Sequence, residues 1–216
     1  MTTYVPADAA AYAPAQQVVV RLAELLYERR MTELQGGNMS IRRGDAVITT
    51  PTRASDYFGW RLGRDDAIVL GLDGSVLVGE RERISRETPI HLRLYKAFPE
   101  VGCVLHLHLP ETLAAAASGR WQPGIVEATS ERFGAAVALL EPGFSAQTEP
   151  HDARVTELLS QLPREEGAIN ISPGHGLFMV ARDWPTAVRA ADTFRQRLDF
   201  ERLCSRLLAS HAGEPA

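Results

Sequence analysis

The most constraining feature of the sequence is a short apolar run at residues 104–109, which reads Val-Leu-His-Leu-His-Leu. The alternation and length of this run predict a buried β-strand. Because a strand points residues i and i+2 to the same face, His106 and His108 are predicted to lie side by side, about 6–7 Å apart along the strand. Two imidazoles on a buried face are costly unless a partner satisfies them. A divalent metal such as zinc satisfies both, and a pair of hydrogen-bonded core histidines remains the alternative.

Composition and charge exclude several classes of protein. The chain has 216 residues, of which 45% are hydrophobic and 23% are charged, as is typical of a globular protein with a sizeable core. A net charge of −4 provides no basic surface for nucleic acid, and no apolar run is long enough to span a membrane. Residues 1–17 lack a secretory signal, and the two cysteines, Cys103 and Cys204, fit a reducing environment. We therefore expect a cytoplasmic protein.

The hydrophobic periodicity predicts one α/β domain. Apolar residues recur at helical spacing in some segments and alternate in others. Helices are predicted at residues 16–30, 88–98, 152–162 and in a long segment capped by Asp183, and strands at residues 40–43, 46–50, 104–109, 124–129, 135–140, 168–172 and 177–181, with two more between 66 and 78. No repeat or linker is visible, so the domain is expected at residues 16–208, between a loose N-terminal arm (1–15) and a C-terminal tail (209–216).

Three polar segments are candidates for anion binding. Residues 35–40 read Gln-Gly-Gly-Asn-Met-Ser, a glycine-rich turn whose free N–H groups can cradle an anion, although a plain loop is the alternative. Residues 49–53 read Thr-Thr-Pro-Thr-Arg, and hydroxyl groups beside an arginine suit phosphate. Residues 85–87 read Ser-Arg-Glu at the start of a predicted helix, where anions are favoured. Glu87 is there either a functional carboxylate or a complement to the helix dipole.

Two isolated residues bear on the chemistry. His175 stands between two glycines in a predicted strand turn, so it can approach a ligand closely, although a lone histidine there is usually only a turn residue. Lys96 is the only lysine, and it lies off the apolar face of its predicted helix. Schiff-base chemistry needs a lysine desolvated in a pocket. A metal is therefore the better electron sink if the protein breaks carbon–carbon bonds next to carbonyls.

Five motifs in this order resemble the class II aldolase/adducin family, and most closely its L-fuculose-phosphate aldolases. The motifs are Gly-Asn-Met-Ser at residues 37–40, Thr-Pro-Thr at 50–52, Ser-Arg-Glu-Thr-Pro-Ile-His at 85–91, His-Leu-His at 106–108 and His-Gly at 175–176. The resemblance covers roughly residues 16–205. It implies a three-layer α/β/α domain with a mainly antiparallel central sheet, assembled into a homotetramer with active sites between neighbouring subunits.

The resemblance also implies roles for single residues. His106, His108 and His175 match the family's zinc ligands, and Glu87 matches its catalytic acid/base. Three neutral histidines leave positions open on a metal, where a substrate's carbonyl and hydroxyl oxygens can chelate. The cation, zinc or another divalent metal such as Mn²⁺, Co²⁺ or Fe²⁺, would stabilise an enediolate formed by carbon–carbon cleavage. Glu87 would take and return the proton.

The family's phosphate site maps onto this chain with two departures. The matching positions are Gly37, Asn38, Thr52 and Ser85. Arg53 and Arg86 stand where the fuculose-phosphate enzymes have a glycine and a serine. Either arginine could strengthen phosphate binding through bidentate contacts, fill the pocket, or recognise a carboxylate. A small sugar-phosphate substrate is favoured on balance.

A second proton donor is less well defined. The fuculose-phosphate enzymes have a tyrosine in the segment where this chain has Glu127, and this chain has no tyrosine after Tyr95. A glutamate there resembles the related rhamnulose-phosphate aldolases and methylthioribulose-phosphate dehydratases. Glu127 is therefore our candidate for a second acid/base group, and a surface glutamate at a strand end is the alternative.

The combined features favour a metal-dependent lyase that cleaves a ketose 1-phosphate into dihydroxyacetone phosphate and an aldehyde by a retro-aldol reaction. Dehydratases, 4-epimerases and decarboxylases of a sugar phosphate or sugar acid are alternatives on the same metal site. The presence of Glu87 favours the aldolase over the dehydratase, because the related dehydratases usually lack that glutamate. A non-catalytic adducin-like module is disfavoured, since such modules do not share the full metal set.

Overall fold

The computed structural model describes residues 9–34, 36–110, 112, 136–141 and 143–211, with the backbone alone at 57, 200–205 and 207–211. The helices are α1 (Ala9–Glu28), α2 (Ala54–Phe58), α3 (Thr88–Ala97), α4 (Glu149–Ser160) and α5 (Trp184–His211). The strands are β1 (Asn38–Arg43), β2 (Ala46–Thr49), β3 (Ile68–Gly71), β4 (Val76–Val78), β5 (Cys103–Leu107), β6 (Ala136–Leu139), β7 (Ala168–Ser172) and β8 (Gly176–Ala181). The predicted α/β class is confirmed.

The strands form one mixed sheet in the order β4-β3-β2-β1-β5-β8-β7-β6. Every neighbouring pair in this order is antiparallel except the last, in which the edge strand β6 runs parallel to β7. The expectation of a mainly antiparallel sheet is therefore corrected to a mixed one. The physical reason is that β6, α4 and β7 are consecutive, and a strand–helix–strand crossover returns the chain in the direction in which it started.

The two faces of the sheet bury different residues, because neighbouring residues of a strand point in opposite directions. Cys103, Leu105 and Leu107 of β5 belong to an apolar cluster that includes α1 and α5. Val104 belongs to a second cluster that includes α3 and α4. His106 shares the face of Val104, so Cys103 lies on the face opposite the histidine. The three-layer arrangement implied by the family resemblance stays a prediction.

The pairing register aligns polar residues on the face that carries His106. Asn38 of β1 lies opposite His106, which lies opposite Phe178 of β8, which lies opposite Asn170 of β7. All four side chains are buried. This row ends next to the turn between β7 and β8, which carries His175. The sheet therefore brings segments about seventy residues apart to one place.

Helix boundaries differ from the sequence prediction mainly at the N-terminus. Helix α1 begins at Ala9 rather than at residue 16, inside the segment expected to be a loose arm. Alanine has the highest helix propensity, which favours a helix in this alanine-rich stretch despite Pro14. Gln16 anchors the helix by donating a 2.8 Å hydrogen bond from Nε2 to the Ala67 carbonyl. At the other end of the chain, Asp183 caps α5 as predicted, since its Oδ1 accepts a 2.8 Å hydrogen bond from the Thr186 N–H.

Among the described residues, no helix combines the length and the apolar character needed to cross a membrane.

Candidate metal centre

Three histidines converge at one end of β5. His106 is the fourth residue of β5, His108 follows directly after the strand, and His175 lies in the tight turn before β8. The antiparallel pairing of β5 with β8 brings this turn to the two strand histidines. One ligand atom from each of the three lies within 4.8 Å of the others. The structure therefore brings together all three residues that the family resemblance assigns to the metal.

The outer nitrogen of each strand histidine faces a protein acceptor. His106 Nδ1 lies 3.1 Å from the Leu177 carbonyl oxygen, and His108 Nδ1 lies 3.4 Å from Oε1 of Glu33. A proton on Nδ1 of each ring satisfies these acceptors and leaves a lone pair on each Nε2. The two Nε2 atoms lie 3.0 Å apart. Two lone pairs at this distance repel unless a cation or a shared proton lies between them.

The donor set fits a divalent transition metal. Two nitrogens bound to zinc at about 2.0–2.1 Å in a tetrahedron lie about 3.3 Å apart, close to the Nε2 spacing of His106 and His108. Nε2 of His175 is buried and has no hydrogen-bond partner in the described part of the chain. Burial lowers the pKa of His106 well below its usual value and also lowers the pKa of His108. Neutral imidazole is the form that binds metals.

Two glycines allow the backbone to approach the histidine rings. A Cβ atom at Gly36 would lie 2.2 Å from Cε1 of His108. A Cβ atom at Gly176 would lie 2.9 Å from Cδ2 of His108 and 3.0 Å from Cε1 of His106. A side chain at Gly36 would therefore displace the His108 ring, and one at Gly176 would meet both that ring and, at 2.7 Å, the Leu107 carbonyl oxygen. Glycine at these two positions therefore allows the backbone to pack against the candidate metal ligands.

Glu87 lies beside this centre and is almost completely buried. Its Oε1 is 3.3 Å from His175 Nε2 and accepts a 2.6 Å hydrogen bond from Nε2 of Gln147. Its Oε2 is buried without a hydrogen-bond partner in the described residues. Glu87 is the N-cap residue of α3, although its side chain makes no capping hydrogen bond, so a favourable interaction with the helix dipole remains compatible with its place beside the histidines.

Opposing effects set the protonation of Glu87. Burial by itself raises the pKa of the carboxyl, because it disfavours the charged form. The contact with His175 and the hydrogen bond from Gln147 oppose burial, and the pKa of the carboxyl falls below its usual value. Glu87 is therefore ionised at neutral pH, which is the form that accepts a proton.

The three candidate anion-binding segments are neighbours. Thr50 Oγ1 accepts a 3.2 Å hydrogen bond from the Met39 N–H, which ties the second segment to the Gly37–Asn38 turn. The Thr52 N–H donates a 2.7 Å hydrogen bond to the Arg83 carbonyl, which ties it to the segment before Glu87. These contacts bring the backbones of the segments together.

The individual anion-site residues differ in exposure and in their contacts. Asn38 is buried on the sheet, whereas Arg53 and Arg86 are exposed. Arg53 has a left-handed backbone with φ of 55° at the start of α2. The Ser85 hydroxyl accepts a 3.2 Å hydrogen bond from the Glu87 N–H, so it helps to form the entrance to α3. The role of this group in binding phosphate stays a prediction.

Sequence reasoning missed several residues around the metal centre. His151 of α4 is buried, and its ring is 6.0 Å from that of His175, centroid to centroid. Its Nε2 lies 3.2 Å from the Ser172 hydroxyl. Gln147 contacts Glu87, and Glu33 contacts His108. The only sequence signal was the number of histidines, six in the whole chain, which is more than three ligands require. The predicted acid/base Glu127 lies outside the described residues.

Comparisons with known proteins show which family the chain is similar to. A profile of the family described as "Class II Aldolase and Adducin N-terminal domain" matches residues 17–200. The methylthioribulose-1-phosphate dehydratase of Stenotrophomonas maltophilia strain K279a is 30% identical over 202 residues, which cover 89% of this chain and 92% of that protein. The L-fuculose phosphate aldolase of Methanococcus maripaludis is 32% identical over 89 residues, which cover 41% of this chain and 46% of that protein.

The fold has counterparts among solved structures. The L-fuculose-1-phosphate aldolase from Thermus thermophilus is similar with a TM-score of 0.68 and 18% sequence identity, over 95% of this chain and 99% of that chain. At this identity the likeness shows a shared fold. Together with the profile match, it leads to one conclusion. The chain belongs to the class II aldolase and adducin family.

Proposed function

We propose that this protein is a divalent-metal-dependent lyase that cleaves a ketose 1-phosphate into dihydroxyacetone phosphate and an aldehyde. The observation that supports this proposal is the juxtaposition of three convergent histidines with the buried, ionised carboxylate of Glu87. His106, His108 and His175 would hold the metal, with zinc as the first candidate and Mn²⁺, Co²⁺ or Fe²⁺ as alternatives. When bound, the cation supplies Lewis-acid stabilisation to negative charge on the substrate oxygens.

The carboxylate would move the proton in this reaction. In a retro-aldol cleavage the C4 hydroxyl loses a proton, the C3–C4 bond breaks, and the electron pair of that bond passes to an enediolate on the three-carbon fragment. Glu87 is ionised and can accept the hydroxyl proton, then return it to C3 of the enediolate. Its Oε2 has no hydrogen-bond partner within the described residues, so this oxygen is the candidate to receive the proton.

The substrate phosphate would bind at the neighbouring polar segments. Backbone N–H groups of the Gly37–Asn38 turn, hydroxyl groups of Thr52 and Ser85, and the charges of Arg53 and Arg86 would provide suitable contacts. The hydrogen bonds that join these segments near Glu87 support a common site. A second proton donor at Glu127 stays a prediction.

Dehydration of a ketose 1-phosphate is the second candidate. The observation that favours it is the similarity, over nine-tenths of their length, to methylthioribulose-1-phosphate dehydratases. The presence of Glu87 favours the aldolase, as argued from the sequence. Both reactions begin with the same requirements, an electrophilic cation and a base beside it, so the site alone accommodates either product.

Product analysis separates the two candidates. The protein, loaded with Zn²⁺ or Mn²⁺, is incubated with several ketose 1-phosphates, including methylthioribulose 1-phosphate, and dihydroxyacetone phosphate is measured by a coupled assay. We expect its release, and we expect Glu87→Gln to lower kcat at least about a hundredfold, since general acid–base catalysis contributes about 10²–10⁴. Glu24→Gln, on the exposed face of α1, is the control and should leave kcat unchanged.

The opposite results are equally clear. A dehydrated product without dihydroxyacetone phosphate would replace the first candidate by the second. A protein purified without chelator that binds no divalent ion would support a non-catalytic module instead. The homotetramer with active sites between subunits is a further proposal from the family resemblance, and the cytoplasmic location is a further proposal from the cysteine usage of the sequence. Sedimentation of the purified protein tests the first, and cell fractionation tests the second.

A further inference from the structure

A buried tryptophan supports the segment that connects α1 to β1. In the described part of the chain this α1–β1 segment comprises residues 31–34, 36 and 37. The Trp60 side chain is buried, and its Nε1 donates a 2.8 Å hydrogen bond to the Glu33 carbonyl, although the two residues are 27 positions apart in sequence. Buried indole N–H groups usually have such a partner. This hydrogen bond ties the middle of the α1–β1 segment to the protein interior.

The backbone of Trp60 has an unusual conformation. The residue follows α2 with φ of 63°, a left-handed value that bulky side chains rarely adopt. Such a conformation persists only where the surrounding structure stabilises it. Here the Trp60 N–H donates a 3.2 Å hydrogen bond to the Ala54 carbonyl, and the indole belongs to the apolar cluster that includes Leu107 and Leu109, the two neighbours of His108. The indole is thus held from several sides.

The α1–β1 segment packs against the His108 ring. Glu33 Oε1 lies 3.4 Å from His108 Nδ1. The backbone at Gly36 is so close to the same ring that a Cβ atom there would lie 2.2 Å from Cε1. The Thr32 hydroxyl donates a 2.9 Å hydrogen bond to the Gly36 carbonyl, which joins the two ends of the segment. The segment therefore forms one wall beside this candidate metal ligand.

The interior anchors of this wall are few. Met31 and Thr32 are buried, whereas the side chain of Glu33 is 43% exposed and Leu34 is also exposed. The Glu33 side chain therefore gains little orientation from packing around it. Its backbone is fixed instead by the hydrogen bond from Trp60.

We propose that Trp60 is a positioning residue that holds the Glu33 carboxylate against the His108 ring. This inference rests on the proposed function only in the role of His108 as a metal ligand. An outer partner of a ligating histidine fixes the orientation and the tautomer of the ring. Trp60 fixes the place of that partner, so it acts on His108 through Glu33 and touches neither metal nor substrate.

The test replaces Trp60 by β-(3-benzothienyl)alanine, which has nearly the shape of tryptophan and carries sulfur in place of the indole N–H. Zn²⁺ affinity is measured by competition with a chelator. The ¹⁵N NMR signals of His108, assigned by their loss in His108→Ala, report its tautomer in the metal-free protein at mildly alkaline pH. We expect the Zn²⁺ affinity to fall about fivefold, the factor that corresponds to one hydrogen bond of ordinary strength. The His108 signals should change from the Nδ1–H form to a mixture of tautomers.

Three further proteins assign the effect to the indole N–H and to Glu33. The same replacement at Trp184, a partly exposed tryptophan at the start of α5, should change neither affinity nor tautomer. Leu22→Val removes one methylene from the apolar cluster that contains Trp60, so it should lower the free energy of unfolding and leave both readouts unchanged. In Glu33→Ala, the replacement at Trp60 should have no additional effect on Zn²⁺ affinity.

Each contrary result has a defined meaning. An unchanged Zn²⁺ affinity or an unchanged His108 tautomer after the replacement at Trp60 would overturn the inference. A fivefold loss that persists in Glu33→Ala would also overturn it, because the effect would then bypass the carboxylate. If both readouts change as expected but no ketose 1-phosphate is turned over, the proposed function fails while the role of Trp60 stands. If the wild-type protein binds no Zn²⁺, the proposed function fails and the tautomer of the metal-free protein decides the role of Trp60.

Discussion

Two groups of buried or partly buried histidines differ in what their ring nitrogens contact. In the first group, His106 and His108 point Nε2 atoms at each other, and Nε2 of His175 has no hydrogen-bond partner in the described part of the chain. In the second group, His151 contacts Asp152 and Ser172 through its two nitrogens. The first group leaves ligand atoms facing a common point, whereas the second directs them to protein partners.

His91 belongs with the second group. Its Nδ1 is 2.7 Å from the Ser40 hydroxyl, which also lies 2.9 Å from the hydroxyl of Tyr95. Its Nε2 lacks a hydrogen-bond partner among the described residues, and His91 belongs to no group of three convergent ligand atoms there. The comparison teaches that burial alone does not identify a metal ligand. Convergence of several free nitrogens does.

The largest expected difference between the two groups is in metal affinity. We expect His175→Ala to lower Zn²⁺ affinity at least about a hundredfold, because a structural zinc site with four ligands binds with about 10–16 kcal/mol, which is about 2.5–4 kcal/mol for each ligand. His151→Ala should lower it about tenfold, since this ring acts only through Ser172 and the turn that carries His175. Chelator competition measures both values. An equal loss in the two variants would break the distinction between convergent and protein-bound histidines.

The second expected difference is in the dependence of stability on pH. Burial lowers the pKa of His91 to about 4, against a weaker opposing effect of Glu87. Between pH 6.5 and 4 the unfolded chain binds a proton at this position and the folded chain does not, so acidification destabilises the fold. This lowering of the His91 pKa corresponds to about 3 kcal/mol of folding stability, which is present above about pH 6.5 and fully lost by about pH 4. Unfolding of the metal-free protein by urea, measured at several pH values, gives this free energy.

The variant His91→Phe isolates this contribution. It removes the titrating group, so its unfolding free energy should fall less steeply than that of the wild type between pH 6.5 and 4, whatever its stability at neutral pH. The other buried histidines contribute equally to both proteins and cancel in the difference. Identical slopes for the two proteins would show that His91 carries its proton inside the fold.

Local patterns were sufficient to predict most of the fold. The hairpin of β1 and β2, the predicted strand at residues 168–172 and the helix with Pro89 in its first turn all follow from short-range periodicity and turn residues. The position of β6 was also close to the predicted one, but its parallel pairing with β7 was not evident. Pairing partners depend on how the whole chain closes, which periodicity does not encode.

The residues of the candidate site also divide into those that local sequence patterns or the family resemblance predict and those that only the tertiary fold reveals. Alternation on a strand placed His106 and His108 on one face, and the family resemblance added His175 and Glu87. Gln147 was not predictable, because it lies in a polar loop without periodicity and reaches Glu87 only through the tertiary fold.

The smallest expected effect concerns the outer partner of a metal ligand. Glu33 is 3.4 Å from Nδ1 of His108 and is partly exposed, so it orients the ring from the solvent side. Outer partners of ligating histidines are worth about 10–100-fold in metal affinity, and solvent screening places Glu33 at the lower limit. We expect Glu33→Ala to lower Zn²⁺ affinity about tenfold at low salt and less at high salt. Glu24→Ala, a matched exposed glutamate, should leave the affinity unchanged at both. If Glu33→Ala behaved like Glu24→Ala at low salt, the His108 tautomer would be set by something other than this carboxylate.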